Sequence, residues 1–186
     1  MMFHVGKGNI GFKLDNVKGL KMTNSGIENL ENRGPLGSLD CYYSECDVMP
    51  GSHYGGYNAA DVRGISIAGS QDVDLYNIYT KEITSYHGSA WGIDVHTDSS
   101  DISIKNAYVH DVQGGANEDC DAYHDYNDVP NPNRLPFASG LNIRETTDNV
   151  CYSNLHIEEV FSMKNNYAAL NDRQHLEHEH EEDYDD

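Results

Sequence analysis

Positive charge is scarce in this chain. Twelve Lys and Arg stand against 31 Asp and Glu, a formal charge of −19. A surface so poor in cations has little with which to neutralise phosphates, which argues against nucleic-acid binding and disfavours anionic membrane surfaces. Seven of the last ten residues are acidic, so the remainder still carries −12 of that charge. Long apolar runs are also missing. No stretch reaches the roughly 18 residues that a membrane-spanning helix needs. The opening MMFHVGKGNIGFKL lacks the apolar stretch of a signal peptide. The expectation is a protein not exported by that route, or a mature or excised piece. There is no CxxC pair, which argues against a zinc ribbon. The four cysteines, Cys41, Cys46, Cys120 and Cys151, allow three full pairings. Cys41 and Cys46 share one loop-like segment. An even count in an acidic, loop-rich chain leans towards disulfides and an extracellular setting, with four free thiols as the alternative.

What is present is a repeat. Four stretches align without gaps: GLKMTNSGIENL (19–30), DVDLYNIYTKEI (72–83), DISIKNAYVHDV (101–112) and NVCYSNLHIEEV (149–160). Asn24, Asn77, Asn106 and Asn154 all occupy the sixth place. A shorter block precedes each: GFKL (11–14), GISI (64–67), GIDV (92–95) and GLNI (140–143). The units read as short strands of period two, separated by Gly, Asn and Asp turns, with no helical stripe. One unit cannot bury its apolar face alone, whereas stacked units bury a continuous column of Ile, Val and Leu. The recurrent Asn suits an inward turn, where it tolerates left-handed geometry and can bond the Asn of the next coil.

In these blocks the chain resembles the right-handed parallel β-helix (pectate-lyase-like) superfamily. The fold class expected is all-β: a right-handed parallel β-helix of about four coils over residues 1–172, followed by an acidic, disordered tail at 173–186. Segment NYAALND (166–172) reads as the first strand of a further, incomplete coil. Two insertions, about 33–62 and 114–138, are rich in Gly, Tyr, Asp and Asn, and loops on a rigid scaffold commonly carry binding. Neither end shows a cap, and open strand edges invite a partner. Self-association or a larger assembly through these ends is therefore expected.

Strand alternation points Ile93 and Val95 inward and Asp94 and His96 outward, roughly 7 Å apart. The repeat then predicts one outward column of Lys13, Ser66, Asp94 and Asn142, and a second of Asp15, Ala68, His96 and Arg144. With coils about 4.8 Å apart, Asp94, His96, Asn142 and Arg144 make a polar quartet. Such a group suits proton abstraction beside a sugar carboxylate. Arg144 would neutralise that carboxylate, His96 would serve as base, and Asp94 would orient or tune His96. The bland alternative is an exposed strand face, with Arg144 paired to Glu145 or Asp148.

WGIDVH (91–96) is similar to the YGFDPH motif of mannuronan C5-epimerases. The resemblance implies catalytic roles for Asp94 and His96. Trp91 stands at the motif's Tyr, so a phenolic role would pass to Tyr86, Tyr123 or Tyr126. Candidate catalytic residues are therefore Asp94, His96 and Arg144, with Trp91, Asn142, Tyr123 and Tyr126 as substrate contacts. Asp119, Asp121, Asp125 and Asp128 form a candidate calcium site, calcium being the one cofactor expected. His175, His178 and His180 alternate with carboxylates in a tail that reads as solvated. Two functions follow. One is a carbohydrate-associated β-helix, a lyase or epimerase acting on acidic polysaccharide. The other is a non-catalytic fibre, spike or surface module binding glycan or partner subunits. The setting expected for both is extracellular, cell-surface or virion-associated.

Overall fold

A computed structural model describes residues 9–32, 61–86, 88–115, 137–162 and 167–174. All of its regular structure is β, and every strand pair is parallel. The strands are β1 (Asn9–Asp15), β2 (Lys18–Asn32), β3 (Val62–Ala68), β4 (Gln71–Ser85), β5 (Ala90–His96), β6 (Ser100–Gly114), β7 (Ala138–Ile143), β8 (Asp148–Ser162) and β9 (Tyr167–Asp172). Odd-numbered strands form one sheet in the order β1-β3-β5-β7-β9, and even-numbered strands form the other, β2-β4-β6-β8. The chain thus alternates between sheets and returns each time beside its previous pass, an arrangement compatible with a parallel β-solenoid.

The long even strands owe their shape to left-handed residues at five-residue intervals. In β4 these are Asp72, Asn77 and Glu82; in β6, Asp101, Asn106 and Asp111; in β8, Asn149, Asn154 and Glu159. Each such residue bends the strand and shifts the alternation by one place. In β4 the buried positions accordingly run Val73, Leu75, Ile78, Thr80, Ile83 and Ser85. The register of the sheets stacks these into core columns, for example Leu20, Val73, Ile102 and Val150.

The sixth-place Asn residues do form a ladder. Asn77 Nδ2 donates to Asn24 Oδ1 at 3.1 Å, Asn106 to Asn77 at 3.0 Å, and Asn154 to Asn106 at 2.9 Å. The inward placement expected for them is corrected, because Asn24, Asn77 and Asn154 are exposed on the outer surface. With their backbone at a corner, φ near +50°, the side chains lie outside the core and bond only to one another along the stack.

Glycine leads each short block for a steric reason. A Cβ on Gly92 would meet Gly140 O at 2.6 Å and Val109 Cγ1 at 2.5 Å. The odd sheet therefore lies too close to the facing side chains of the even sheet for any larger residue at this place.

Element edges differ slightly from the repeat reading. Asp61 and Val62 are buried at the start of β3, and Gly114 and Ala138 lie within strands, inside the intervals read as insertions. Arg173 N donates to Ile143 O, and Gln174 bonds to β8, so both residues belong to the ordered stack. The segment NYAALND supplies β9, paired with β7.

Candidate functional site

The odd sheet carries the predicted polar group on its outer side. Ser66, Asp94, Asn142 and Asn171 stand in one register column, and His96 stands beside Ala68 in the next. Arg144 continues this second column, its N–H donating to Val95 O. Asp94, His96, Asn142 and Arg144 are therefore brought together. Asp94 is outward from the core but not wet: its exposure is 0 %. The reading of an exposed strand face is corrected, because long side chains from neighbouring strands close over the carboxylate.

Its oxygens are fully engaged. Arg63 Nε donates to Asp94 Oδ2 at 2.7 Å, and Arg144 Nη2 donates to the same oxygen at 3.0 Å. Asn142 Nδ2 donates to Oδ1 at 2.6 Å, with Arg144 Nε at 3.3 Å. Asn171 Nδ2 in turn donates to Asn142 Oδ1 at 2.6 Å. Arg144 thus pairs with Asp94 instead of Glu145 or Asp148, because the sheet brings Asp94 beside it.

Trp91 is buried beneath the two guanidiniums, with Arg63 Cζ 4.4 Å and Arg144 Cζ 5.6 Å from its ring centre. The arrangement is favourable to both cations. His96 lies at the rim. Its Nε2 hydrogen-bonds with Ser66 Oγ at 3.0 Å and its Nδ1 with Thr97 Oγ1 at 2.8 Å. Nε2 is also 3.8 Å from Asp94 Oδ2.

These contacts set the protonation states. Burial pushes Asp94 upward, but the charges of Arg144 and Arg63 outweigh it and hold the carboxyl below its usual range. Burial lowers His96, and the two arginines add to that against the pull of Asp94, so the imidazole is held neutral below its usual pKa. Asp61 lies beside this group. It accepts from Ser89 N at 3.0 Å and sits 3.6 Å from Arg63 Nη2. Burial raises its pKa to about 6 despite that hydrogen bond and the arginine.

Ser66 lies in the column that the repeat predicts, whereas Arg63, Asp61 and Asn171 join the site without having been expected there. Arg63 pairs with Trp91 in register and holds the place before the block glycine, as Trp91 does. That shared place is the signal that would have located it.

Among the described residues no cluster of three or more His, Cys, Asp or Glu is arranged to hold a metal ion. Tyr123, Tyr126 and the candidate calcium ligands Asp119, Asp121, Asp125 and Asp128 lie outside the described residues, as do His175, His178 and His180. Cys151 is exposed on β8 as a free thiol, and the other three cysteines lie outside the described residues. No described helix is long and apolar enough to cross a membrane. Comparison with family models, with curated proteins and with solved structures finds no match.

Proposed function

We propose that this chain is an extracellular, right-handed parallel β-helix module of about four coils that binds acidic glycan without transforming it. The observation that carries this reading is the engagement of Asp94. A carboxylate at 0 % exposure, with both oxygens taken by Arg63, Arg144 and Asn142, neither reaches a substrate nor exchanges a proton readily. Its place is that of a positioning residue holding two arginines against Trp91. Arg144, whose side chain is 36 % exposed, presents its outer edge to a ligand carboxylate. Arg63, 11 % exposed, is taken up by Asp94 and Asp61, so it is the outer edge of Arg144 that is offered to a carboxylate of the polyanion.

A second reading retains catalysis. The neutral His96, 20 % exposed and close to Arg144, has the protonation state of a general base, and Arg144 would neutralise a uronate carboxylate as the proton leaves C5. In this lyase or epimerase, Asp94 tunes His96 from behind. Calcium bridging the acidic body to the glycan fits either reading.

Titration calorimetry with alginate, pectate and polygalacturonate, with and without calcium, tests the binding. Arg144→Ala should abolish it while leaving the far-ultraviolet spectrum unchanged. Absence of heat with every polyuronate sinks both readings. A rise in absorbance at about 235 nm, lost in His96→Ala, replaces the binding module with the lyase; proton exchange at C5 without that rise identifies the epimerase.

A further inference from the structure

One pair of residues occurs twice at equal places. Asn142 and Arg144 straddle the end of β7, and Asn171 and Arg173 straddle the end of β9. The register sets Asn171 beside Asn142. Arg173 N donates to Ile143 O, just as Arg144 N donates to Val95 O. Arg173 therefore stands next to Arg144 on the outer side of the odd sheet.

The two pairs meet different neighbours. Asn142 and Arg144 close on the carboxylate of Asp94, one pass earlier. For Asn171 and Arg173 the residue in that place is Asn142, a neutral amide. Asn171 Nδ2 donates to its Oδ1 at 2.6 Å, but Arg173 meets no anion there. The adjacent acid does not serve either. Asp172 belongs to the inward column of Leu14, Ile67, Val95 and Ile143. Its oxygens accept from the Tyr152 hydroxyl, Gln174 N and Gln174 Nε2, each at 3.1 Å. Arg173 is exposed and makes no ion pair with a described residue.

We propose that Asn171 and Arg173 form a second anionic-sugar subsite beside Arg144, so that the protein takes two consecutive uronate units. The inference rests on the acidic-glycan reading above. Arg144 divides its guanidinium between Asp94 and solvent, whereas Arg173 has its whole fork available to a ligand carboxylate. Asn171 is half-buried, and its Oδ1 bonds to no described residue; it can accept a sugar hydroxyl. Neighbouring strands lie about 4.8 Å apart, close to the length of one sugar unit in a polymer. A glycan crossing β7 and β9 thus brings successive carboxylates within reach of two long, rotatable side chains.

Charge fixes the direction in which this ligand extends. The outer column runs Asp15, Ala68, His96, Arg144, Arg173. Its β1 end is an acid, already paired with Lys13 at 2.7 Å. Only the end at β7 and β9 is cationic, so the second unit lies on the Arg173 side of Arg144, away from Asp15.

Titration calorimetry in calcium-free buffer with galacturonate and digalacturonate tests the proposal. The wild type should bind the dimer about tenfold more tightly than the monomer. Arg173→Ala should lower dimer affinity to about that of the monomer. The side chain is exposed and the backbone bond is kept, so this variant should fold. Lys21→Ala removes the same charge from an exposed place on β2 and should retain the tenfold preference. A dimer bound no better than the monomer by the wild type overturns the proposal and leaves the acidic-glycan reading standing. So does a preference that survives Arg173→Ala, or one lost equally in Lys21→Ala. Absence of heat with both sugars at millimolar concentration also overturns it, and polygalacturonate titrated beside them shows whether the acidic-glycan reading falls as well.

Discussion

Arg63 Nε lies 2.7 Å from Asp94 Oδ2, linking β3 to β5 through a carboxylate that water does not reach. Arg144 and Asn142 then tie that same carboxylate to the following pass of the chain. One side chain thus joins three successive passes of the odd sheet. Removing it leaves two guanidiniums crowded without their anion. Asp94→Ala should cost about 3 kcal/mol in urea unfolding. Arg144→Ala, at the partly exposed rim, should cost about 1 kcal/mol or less. Equal losses from the two would argue against Asp94 as the organiser.

Asp61 gives a pH dependence of definite sign. Its pKa is about 6 when folded, against an ordinary 3.8. The folded chain therefore binds this proton more readily than the unfolded chain. The stability it contributes is complete below about pH 4 and is lost as pH rises through about 6, a span of roughly 2–3 kcal/mol. His96, whose pKa is lowered, acts in the opposite direction, losing stability as the pH falls. The two are separated by Asp61→Asn. The wild type should gain stability relative to this variant as pH falls from about 7 to about 5. Thermal melting across that range checks it, and a constant difference would contradict the assignment.

The outer ladder predicts a graded loss at Asn77, which donates to Asn24, accepts from Asn106 and has φ of +50°. Asn77→Ala loses both bonds and meets left-handed strain, together about 2 kcal/mol. Asn77→Gly loses the bonds alone and should cost about 1 kcal/mol. Denaturant midpoints compare the two, and a glycine variant no better than alanine would count against the backbone contribution.

Thr80 offers the opposite outcome. It is fully buried, and its Oγ1 has no hydrogen-bond partner among the described residues. Thr80→Val keeps the branched shape and removes an unpaired hydroxyl, so the variant should be about 1 kcal/mol more stable. A fall in melting temperature would show that the hydroxyl has a partner after all.

Much of this was legible in the repeat. The grouping of Asp94, His96, Asn142 and Arg144 follows from register alone, since equal places in successive blocks become neighbours in a parallel sheet. Arg63 was harder to see. It lies 31 residues before Asp94 and reaches it diagonally from the place before the block glycine, and reach depends on side-chain conformation, which spacing does not encode. The direction of the Asn side chains was misread for a related reason. A left-handed residue shifts the alternation by one, so inward and outward cannot be counted across it from one strand to the next.

The path of the chain was already set by the order of its residues. Alternation, left-handed residues every fifth place and a glycine at each close approach are local properties, and together they dictate which residues form the core and which strands become neighbours. What becomes of the polar residues left outside depends instead on the folded stack. Stacking brought Arg63, Trp91 and Arg144 over Asp94 from strands distant in the chain. Burial then made an outward carboxylate a buried anchor, because desolvation and charge pairing depend on what surrounds a group and not on its place in a repeat.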